Sequence, residues 1–248
     1  MSILKVKKWR VTLILLAVSL LLLGACAIYL GDYYRADTAA SAAFGTAQDI
    51  THETLEDGTL VFLPQNAVTG LIFYPGGKVE HTAYVPLMEA LAARGILCVL
   101  VEMPFRLAVL DVSAADGVQE KYPQIQSWYI GGHSLGGSMA ASYLEQNAAR
   151  YAGLVLLGSY STADLSDTAL AALSIYGSED GVLNREKYDA CMGNLPENTV
   201  QIVIEGGNHA CFGVYGEQKG DGTASITGAE QITRTACEIA DFCKKMTP

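Results

Sequence analysis

Short apolar runs alternate with longer segments of helical periodicity along most of the chain. The runs at residues 96–101 and 154–157 are almost wholly apolar, which is typical of strands buried on both faces of a parallel sheet. A helix is predicted over residues 84–94, and the next residue, Gly95, is a usual C-terminal stop. The last helix opens with Thr227 and Glu230 at capping-box spacing and carries an apolar stripe. This alternation predicts an α/β domain with a mostly parallel sheet and helices on both faces.

The first thirty residues follow a different pattern. Residues 11–30 form an uncharged, mostly apolar run, and a helix of that length spans about 30 Å, the thickness of a bilayer core. The segment before it carries Lys5, Lys7, Lys8 and Arg10 and no acidic residue. Because basic flanks stay on the cytoplasmic side, the pattern predicts one transmembrane helix, followed by a chain that lies outside the cytoplasm.

Three interpretations of this segment are open: a retained signal anchor, a lipoprotein signal and an ordinary cleaved signal peptide. Residues 23–26, Leu-Gly-Ala-Cys, resemble a lipobox. The chain stays apolar over residues 27–30 after Cys26, which favours the retained anchor. All three export the rest of the chain, so we predict a single-pass protein of the cytoplasmic membrane whose main domain is extracytoplasmic.

Charge and composition divide the chain into three parts. A basic flank and anchor occupy residues 1–30, a small and polar stalk or linker residues 31–56, and the main domain residues 57–248. The whole chain carries a net charge of −10 and its first thirty residues +4, which leaves −14 on the rest. An acidic domain repels nucleic acid and anionic lipid surfaces, so we predict no nucleic-acid partner. No cysteine pair has the spacing of a metal site, and we predict no metal and no other cofactor.

Residues 132–136, Gly-His-Ser-Leu-Gly, match the pattern G-x-S-x-G. The run at 126–131 before them predicts a strand, and the small-residue run at 137–144 predicts a helix. A strand, a sharp turn at serine and a helix make a nucleophile elbow. The hydroxyl then stands at the helix N-terminus, where the dipole favours developing negative charge. The elbow therefore predicts Ser134 as a nucleophile.

A serine nucleophile needs a base, and the base needs an acid that orients it. After an elbow of this kind the acid comes next in the chain and the histidine last. His209 follows the predicted strand at residues 200–204 and is the predicted base. The loop after the preceding strand, at residues 173–176, carries Asp180, which is the predicted acid. Other acidic residues on this loop or the previous connection are alternatives: Glu179, Asp164 and Asp167.

An oxyanion formed at Ser134 also needs hydrogen-bond donors. The backbone N–H of Leu135, directly after the nucleophile, is one expected donor. The other is expected on the loop after the predicted strand at residues 69–74, which reads Pro-Gly-Gly-Lys. Gly77 is the predicted second donor, with Lys78 as the alternative, because a glycine pair leaves the backbone of this loop accessible.

Four motifs give the chain a family resemblance: Tyr-Pro-Gly-Gly at 74–77, Gly-Gly-His-Ser-Leu-Gly-Gly at 131–137, Gly-Ser-Glu-Asp-Gly at 177–181 and Gly-Asn-His at 207–209. Over about residues 60–242 the chain resembles α/β-hydrolases, in the group of small serine esterases related to dienelactone hydrolases. The resemblance implies the α/β-hydrolase fold and hydrolysis of a small-molecule carboxylic ester through an acyl-enzyme. Dienelactone hydrolases proper have a cysteine nucleophile where this chain has Ser134, which argues against dienelactone as the substrate. Many relatives also have His-Gly where this chain has Tyr-Pro.

Two other functions stay open: acyl transfer by the same three residues to an acceptor other than water, and a binding module without turnover. The intact order of Ser134, Asp180 and His209 favours an enzyme. The connection at residues 158–172 is too short for a helical cap, so we expect an open site. A long glycine-rich loop at residues 211–229 follows His209, and its Gly-Asp-Gly sequence is interpreted as a solvated turn.

Overall fold

The computed structural model describes residues 2–42, 44–45 and 49–246. The chain divides into two compact units, Met1–Tyr33 and Tyr34–Pro248. All strands of the described residues belong to the second unit.

The first unit is a single helix, α1, at Ser2–Gly31. Its segment Trp9–Gly31 has a mean hydropathy of 2.8. Among the residues that the structure describes, it is the one helix long and apolar enough to cross a membrane. The bounds agree with the apolar run seen in the sequence.

The described residues of the second unit form one sheet of eight strands. Their bounds are β1 Ile50–Thr54, β2 Leu60–Pro64, β3 Thr69–Tyr74, β4 Ile96–Leu100, β5 Ser127–His133, β6 Gly153–Leu157, β7 Ala171–Gly177 and β8 Val200–Ile204. The strand order is β1-β2-β4-β3-β5-β6-β7-β8. From β4 to β8 all neighbours pair in parallel, which confirms the predicted, mostly parallel sheet.

The sheet begins earlier in the chain than the sequence suggested. Strand β1 pairs antiparallel with β2, and β2 pairs antiparallel with β4. Since β1 spans Ile50–Thr54, it lies inside residues 31–56, the expected stalk or linker. Its residues alternate between buried and exposed only weakly, so the sequence carries little signal for this edge strand.

The described residues of the second unit form six α-helices: α2 Thr38–Ala42, α3 Val85–Ala92, α4 Val118–Lys121, α5 Leu135–Asn147, α6 Arg185–Cys191 and α7 Gly228–Met246. Buried residues of α3 and α7 share one hydrophobic cluster with one face of the sheet. Those of α4 and α5 share a second cluster with the other face. The Tyr188 hydroxyl of α6 lies in hydrogen-bond distance of the Ser174 hydroxyl of β7. The neighbours of Ser174, Leu173 and Ile175, belong to the α3–α7 cluster, so Ser174 and α6 lie on the other face of the sheet. Helices therefore cover both faces, as predicted.

The carboxyl ends of the parallel strands gather the segments that carry chemistry. Residues 75–78 follow β3, Ser134 follows β5 and Gly158 follows β6. Asp180 lies three residues after β7, and His209 five residues after β8. Ligands of parallel α/β sheets bind at this edge, so the sheet itself explains why residues far apart in sequence come together.

Candidate active site

Ser134 lies on a sharp, strained turn between β5 and α5. Its backbone angles are φ 51° and ψ −121°, a region that non-glycine residues occupy only when their surroundings enforce it. Its N–H donates to the Leu157 carbonyl at 2.9 Å, and its carbonyl accepts the Ser159 hydroxyl at 2.7 Å. A Cβ at Gly132 or Gly136 would collide with the carbonyl oxygen of Tyr74. The elbow is therefore as close-packed as its glycines suggested.

Asp180 and His209 form a buried hydrogen-bonded pair. Nδ1 of His209 lies 2.9 Å from Oδ2 of Asp180, and each side chain is 1% exposed. The other carboxylate oxygen accepts the N–H groups of Val182 at 3.0 Å and Leu183 at 2.8 Å. Because a carboxylate only accepts, Nδ1 of His209 is the protonated nitrogen. Its Nε2 is then an acceptor, and this buried atom has no hydrogen-bond partner among the described residues.

Ser134 and the Asp180–His209 pair meet at the end of β6. The Ser134 N–H binds the carbonyl of Leu157. At the next residue, Gly158, an added Cβ would lie 2.9 Å from Nδ1 of His209 and 3.0 Å from Oδ2 of Asp180. Gly158 also has φ +50°, so a side chain there would be strained as well as obstructed. Asp180 and His209 are thus in direct contact, and Ser134 is bonded to the residue that precedes Gly158, against which that pair lies.

The other acidic candidates bind elsewhere. Glu179 accepts the hydroxyl of its neighbour Ser178 at 3.1 Å. Asp164 accepts the N–H and hydroxyl of Ser166 in an exposed turn, and Asp167 is exposed. Of these carboxylates, Asp180 is the one hydrogen-bonded to His209.

The loop after β3 lies against the start of α5. The Gly76 N–H donates to Tyr84 Oη at 3.1 Å, and the Lys78 N–H donates to the Arg106 carbonyl at 2.8 Å. No hydrogen bond of the Gly77 N–H occurs within the described chain. An added Cβ at Gly77 would lie 2.9 Å from Cδ2 of Leu135. Leu135 is the first residue of α5, so its N–H has no acceptor inside the helix.

A buried pair, Tyr84 and His133, supports this loop. Tyr84 Oη lies 2.8 Å from Nδ1 of His133, and the two residues are 0% and 1% exposed. The hydroxyl accepts the Gly76 N–H, so its own hydrogen is available to His133. Burial lowers the pKa of His133 well below 6.5, and the neighbouring His209 lowers it further. The residue that precedes the serine is therefore neutral at pH 7 and holds the loop through Tyr84.

Asp221 holds the His209 loop, a contact that the sequence did not reveal. Its Oδ1 accepts the N–H groups of Gly181 at 3.0 Å and His209 at 3.2 Å. Its Oδ2 accepts the Ala210 N–H at 2.8 Å. The Gly-Asp-Gly turn was interpreted as a solvated turn, and it is partly exposed, but its carboxylate also ties the Asp180 loop to the His209 loop. The sequence signal was the position of this aspartate, twelve residues after the histidine in the long loop.

Gln231 of α7 fixes the residue before His209. Its Oε1 accepts the Asn208 N–H at 3.0 Å and its Nε2 donates to the Asn208 carbonyl at 2.7 Å. Gln231 is 0% exposed, and buried amides of this kind are costly unless both ends are bonded. Helix α7 thereby positions the backbone from which His209 projects.

No group of three or more His, Cys, Asp or Glu side chains that could hold a metal ion occurs in the described ranges. The polar groups at the strand ends instead bond one another and the backbone, as the Asp180, Asp221 and Gln231 contacts illustrate.

Comparison with known proteins assigns the family. The sequence profile of the alpha/beta hydrolase family matches residues 70–233, more than half of the chain. The chain therefore belongs to the alpha/beta hydrolase family, and the predicted family is confirmed. It is 24% identical over 200 residues to monoglyceride lipase from Homo sapiens, a match that covers 67% of this chain. The chain spans 64% of that protein's length.

Solved structures show the same fold. A dienelactone hydrolase from Anabaena variabilis matches 80% of this chain and 99% of its own, with a TM-score of 0.61 and 14% identity. A carboxylesterase from Bacillus subtilis matches 83% of this chain and 94% of its own, with a TM-score of 0.58 and 11% identity. The α/β-hydrolase fold predicted from the sequence is confirmed.

Proposed function

We propose that the protein is a serine hydrolase that cleaves carboxylic esters, with Ser134 as nucleophile, His209 as base and Asp180 as the acid that orients the base. One observation carries the proposal: the Asp180–His209 bond, 2.9 Å long and buried, leaves the other histidine nitrogen without a partner beside a strained serine elbow. Relatives named as a lipase, a carboxylesterase and a dienelactone hydrolase favour an ester as the substrate.

We infer an acylation step in which each of the three groups has one role. Nε2 of His209 takes the Ser134 hydroxyl proton while Oγ attacks the ester carbonyl carbon. The carbonyl oxygen becomes an oxyanion that accepts the N–H groups of Leu135 and Gly77. The intermediate collapses, the bond to the alcohol oxygen breaks, and His209 gives its proton to the leaving alcohol.

Deacylation repeats these steps with water. Nε2 of His209 takes a proton from water, the hydroxide attacks the acyl carbon, and the proton returns to Ser134 Oγ as the carboxylic acid leaves. The imidazolium formed in each half-reaction lies against the Asp180 carboxylate, which keeps its second oxygen on the N–H groups of Val182 and Leu183. Asp180 therefore stabilises the cation without having to move.

The proposal includes the location of the enzyme. Helix α1 is retained as a single anchor in the cytoplasmic membrane, and the catalytic unit lies on the extracytoplasmic side. The apolar segment Trp9–Gly31 supports an anchor. The basic residues Lys5, Lys7, Lys8 and Arg10 before it support this orientation.

The test replaces Ser134 and compares it with a serine of α5, the helix that follows it. Ser134→Ala is expected to lower ester hydrolysis about 10⁴- to 10⁶-fold while the protein stays folded. Ser142→Ala is the matched control, because this side chain bonds only the Ser138 carbonyl within α5. Unchanged hydrolysis in Ser134→Ala would contradict the proposed function.

A further inference from the structure

The helix α1 and the core are joined by a very short segment. The helix ends at Gly31, and Tyr34 is the first residue of the second unit. The Tyr34 N–H donates to the Lys78 carbonyl at 2.8 Å, and the Tyr34 carbonyl accepts the Glu80 N–H at 2.9 Å. Three Cα–Cα steps separate Gly31 from Tyr34, so the covalent chain allows about 11 Å between them at most.

The point where the chain joins the core belongs to the rim of the candidate active site. Tyr34 pairs with Val79, and Lys78 directly follows Gly77, the proposed oxyanion donor. The tyrosine ring also lies 5.6 Å from that of Tyr215, and its hydroxyl accepts the Lys219 N–H at 3.2 Å. The chain that leaves α1 is therefore fixed to the loops that surround the site rather than to the opposite end of the sheet.

An exposed apolar segment lies next to this junction. Phe105, Val109 and Leu110, here called the apolar rim, are 59%, 54% and 54% exposed. The Arg106 carbonyl accepts the Lys78 N–H, and the Lys78 carbonyl accepts the Tyr34 N–H. Two backbone pairings thus separate Tyr34 from Arg106, the neighbour of Phe105, a distance of roughly 10 Å at the spacing of paired strands.

The backbone is strained where the apolar rim begins. Phe105 and Arg106 have φ of 51° and 60°, a left-handed conformation that is rare for bulky residues. Strain of this kind persists where the surrounding structure enforces it, and it concentrates at functional sites. A grouped set of large apolar side chains in water commonly marks an interaction surface.

We propose that the site faces the membrane that holds α1 and acts on long-chain acyl esters that reside in that leaflet, with the apolar rim lying in the lipid interface. This inference rests on the proposed function and on a retained anchor. With a retained anchor, the covalent chain keeps Tyr34 within about 11 Å of Gly31, the end of α1. An ester whose acyl chain stays in the lipid can then reach Ser134 without complete transfer into water.

The experiment uses the full-length protein in phosphatidylcholine vesicles and two esters with the same leaving group. p-Nitrophenyl acetate is water-soluble, and p-nitrophenyl palmitate stays in the bilayer. The measured quantity is the ratio of the palmitate rate to the acetate rate. One variant combines Phe105→Ser, Val109→Ser and Leu110→Ser. Its matched control combines Val200→Ser and Val203→Ser, which removes exposed apolar side chains from the edge strand β8.

A second variant leaves every residue of the core unchanged. It carries about 30 flexible Gly and Ser residues inserted between Asp32 and Tyr33, which lengthens the junction by roughly 30 Å. Its control carries two inserted residues at the same place. We expect the ratio to fall about tenfold or more in both test variants, because the effective concentration of the site at the bilayer falls, and to stay unchanged in both controls.

An unchanged ratio in either test variant overturns the inference. If the triple variant fails to fold, which loss of acetate hydrolysis would reveal, the lengthened junction alone decides. The proposed function fails separately, by absence of Ser134-dependent hydrolysis of both esters in the unmodified protein. Intact acetate hydrolysis with an unchanged ratio defeats the membrane-facing site and leaves the serine esterase in place.

Discussion

Asp221 is bonded to the backbone of His209 and not to its ring. Its Oδ1 accepts the His209 N–H at 3.2 Å and the Gly181 N–H at 3.0 Å. Gly181 follows Asp180, the carboxylate that binds the histidine ring. One carboxylate thus fixes the spacing of the two loops that carry Asp180 and His209, the proposed acid and base.

We expect replacement of Asp221 to lower catalytic activity strongly and to change the stability of the fold little. In Asp221→Asn the side-chain amide can no longer accept all of these N–H groups, so the His209 loop shifts relative to Asp180. We expect a loss of about 10- to 100-fold in kcat, the scale of a displacement of about 1 Å in a catalytic group, with little change in KM. Steady-state kinetics measure this, and Asp164→Asn is the control because Asp164 bonds only its own exposed turn. A change confined to KM would contradict the positioning role.

Replacing Asp180 should remove the orientation of the base. Asp180→Asn is expected to keep the fold and to lower kcat about 10⁴-fold, as in other serine triads, because the amide favours the wrong histidine tautomer. Glu179→Gln is the matched variant on the same loop and should be nearly normal. If Glu179→Gln is the crippled enzyme and Asp180→Asn is active, the assignment of the acid is wrong.

Tyr84 should affect both stability and rate. Tyr84→Phe leaves the buried Gly76 N–H and Nδ1 of His133 without their partner, which costs about 1–3 kcal/mol of unfolding free energy. Because Gly76 precedes the proposed donor Gly77, kcat should fall as well. Tyr188→Phe is the control, since its hydroxyl also bonds a buried partner, Ser174, but away from the site. Equal kcat in the two variants would argue against support of the oxyanion loop by Tyr84.

Because His133 is buried and neutral, we expect the folded protein to lose stability at mildly acidic pH. Burial lowers its folded-state pKa well below the ordinary 6.5. Below about pH 6.5 the unfolded chain therefore gains a proton that the folded chain does not. The contribution of His133 to the unfolding free energy is fully present above that pH. It falls as the pH drops, by up to about 1.4 kcal/mol per pH unit. Urea unfolding between about pH 5 and pH 7.5 measures the slope.

The variant His133→Gln separates the contribution of His133 to this slope from that of other histidines. His81, whose pKa burial also lowers, adds a slope of the same sign, so the difference between the parent protein and His133→Gln is the relevant quantity. The slope should be smaller in His133→Gln. Identical slopes would show that His133 is not a buried neutral histidine.

The hypothesis that α1 is a retained anchor leads to a prediction about Cys26. If α1 is retained, Cys26→Ser leaves membrane association and apparent size unchanged. Release of the enzyme, or accumulation of an unprocessed precursor, would favour lipoprotein processing. Protease added to cells without a wall should reach the catalytic unit, and its protection would contradict the orientation drawn from the basic flank.

Local sequence signals predicted the sheet and the positions of the three proposed catalytic residues. Strands at 69–74 and 200–204 fall where their apolar runs placed them. The first is buried, and buried parallel strands leave a strong compositional signal, whereas the second is a mostly exposed edge strand that was recognised from its apolar residues alone. The serine elbow and the histidine after a strand end were visible for the same reason: each depends on residues close together in the chain.

Contacts between distant residues could not be predicted in this way. Tyr84 and His133 are 49 residues apart, and Asp221 reaches Gly181 across 40 residues. No sequence motif predicts either contact, because a single hydroxyl or a single carboxylate in a loop could equally be exposed to water. Strand β1 was missed because an edge strand with a half-polar pattern resembles a linker.

Trapping the acyl-enzyme tests the central claim most directly. A p-nitrophenyl ester mixed rapidly with enzyme and quenched in acid should leave its acyl group on the peptide that contains Ser134, as located by mass spectrometry. The acyl group should be absent from Ser134→Ala. An acyl group on another residue, or continued turnover in Ser134→Ala, would contradict the account of this protein as a serine hydrolase.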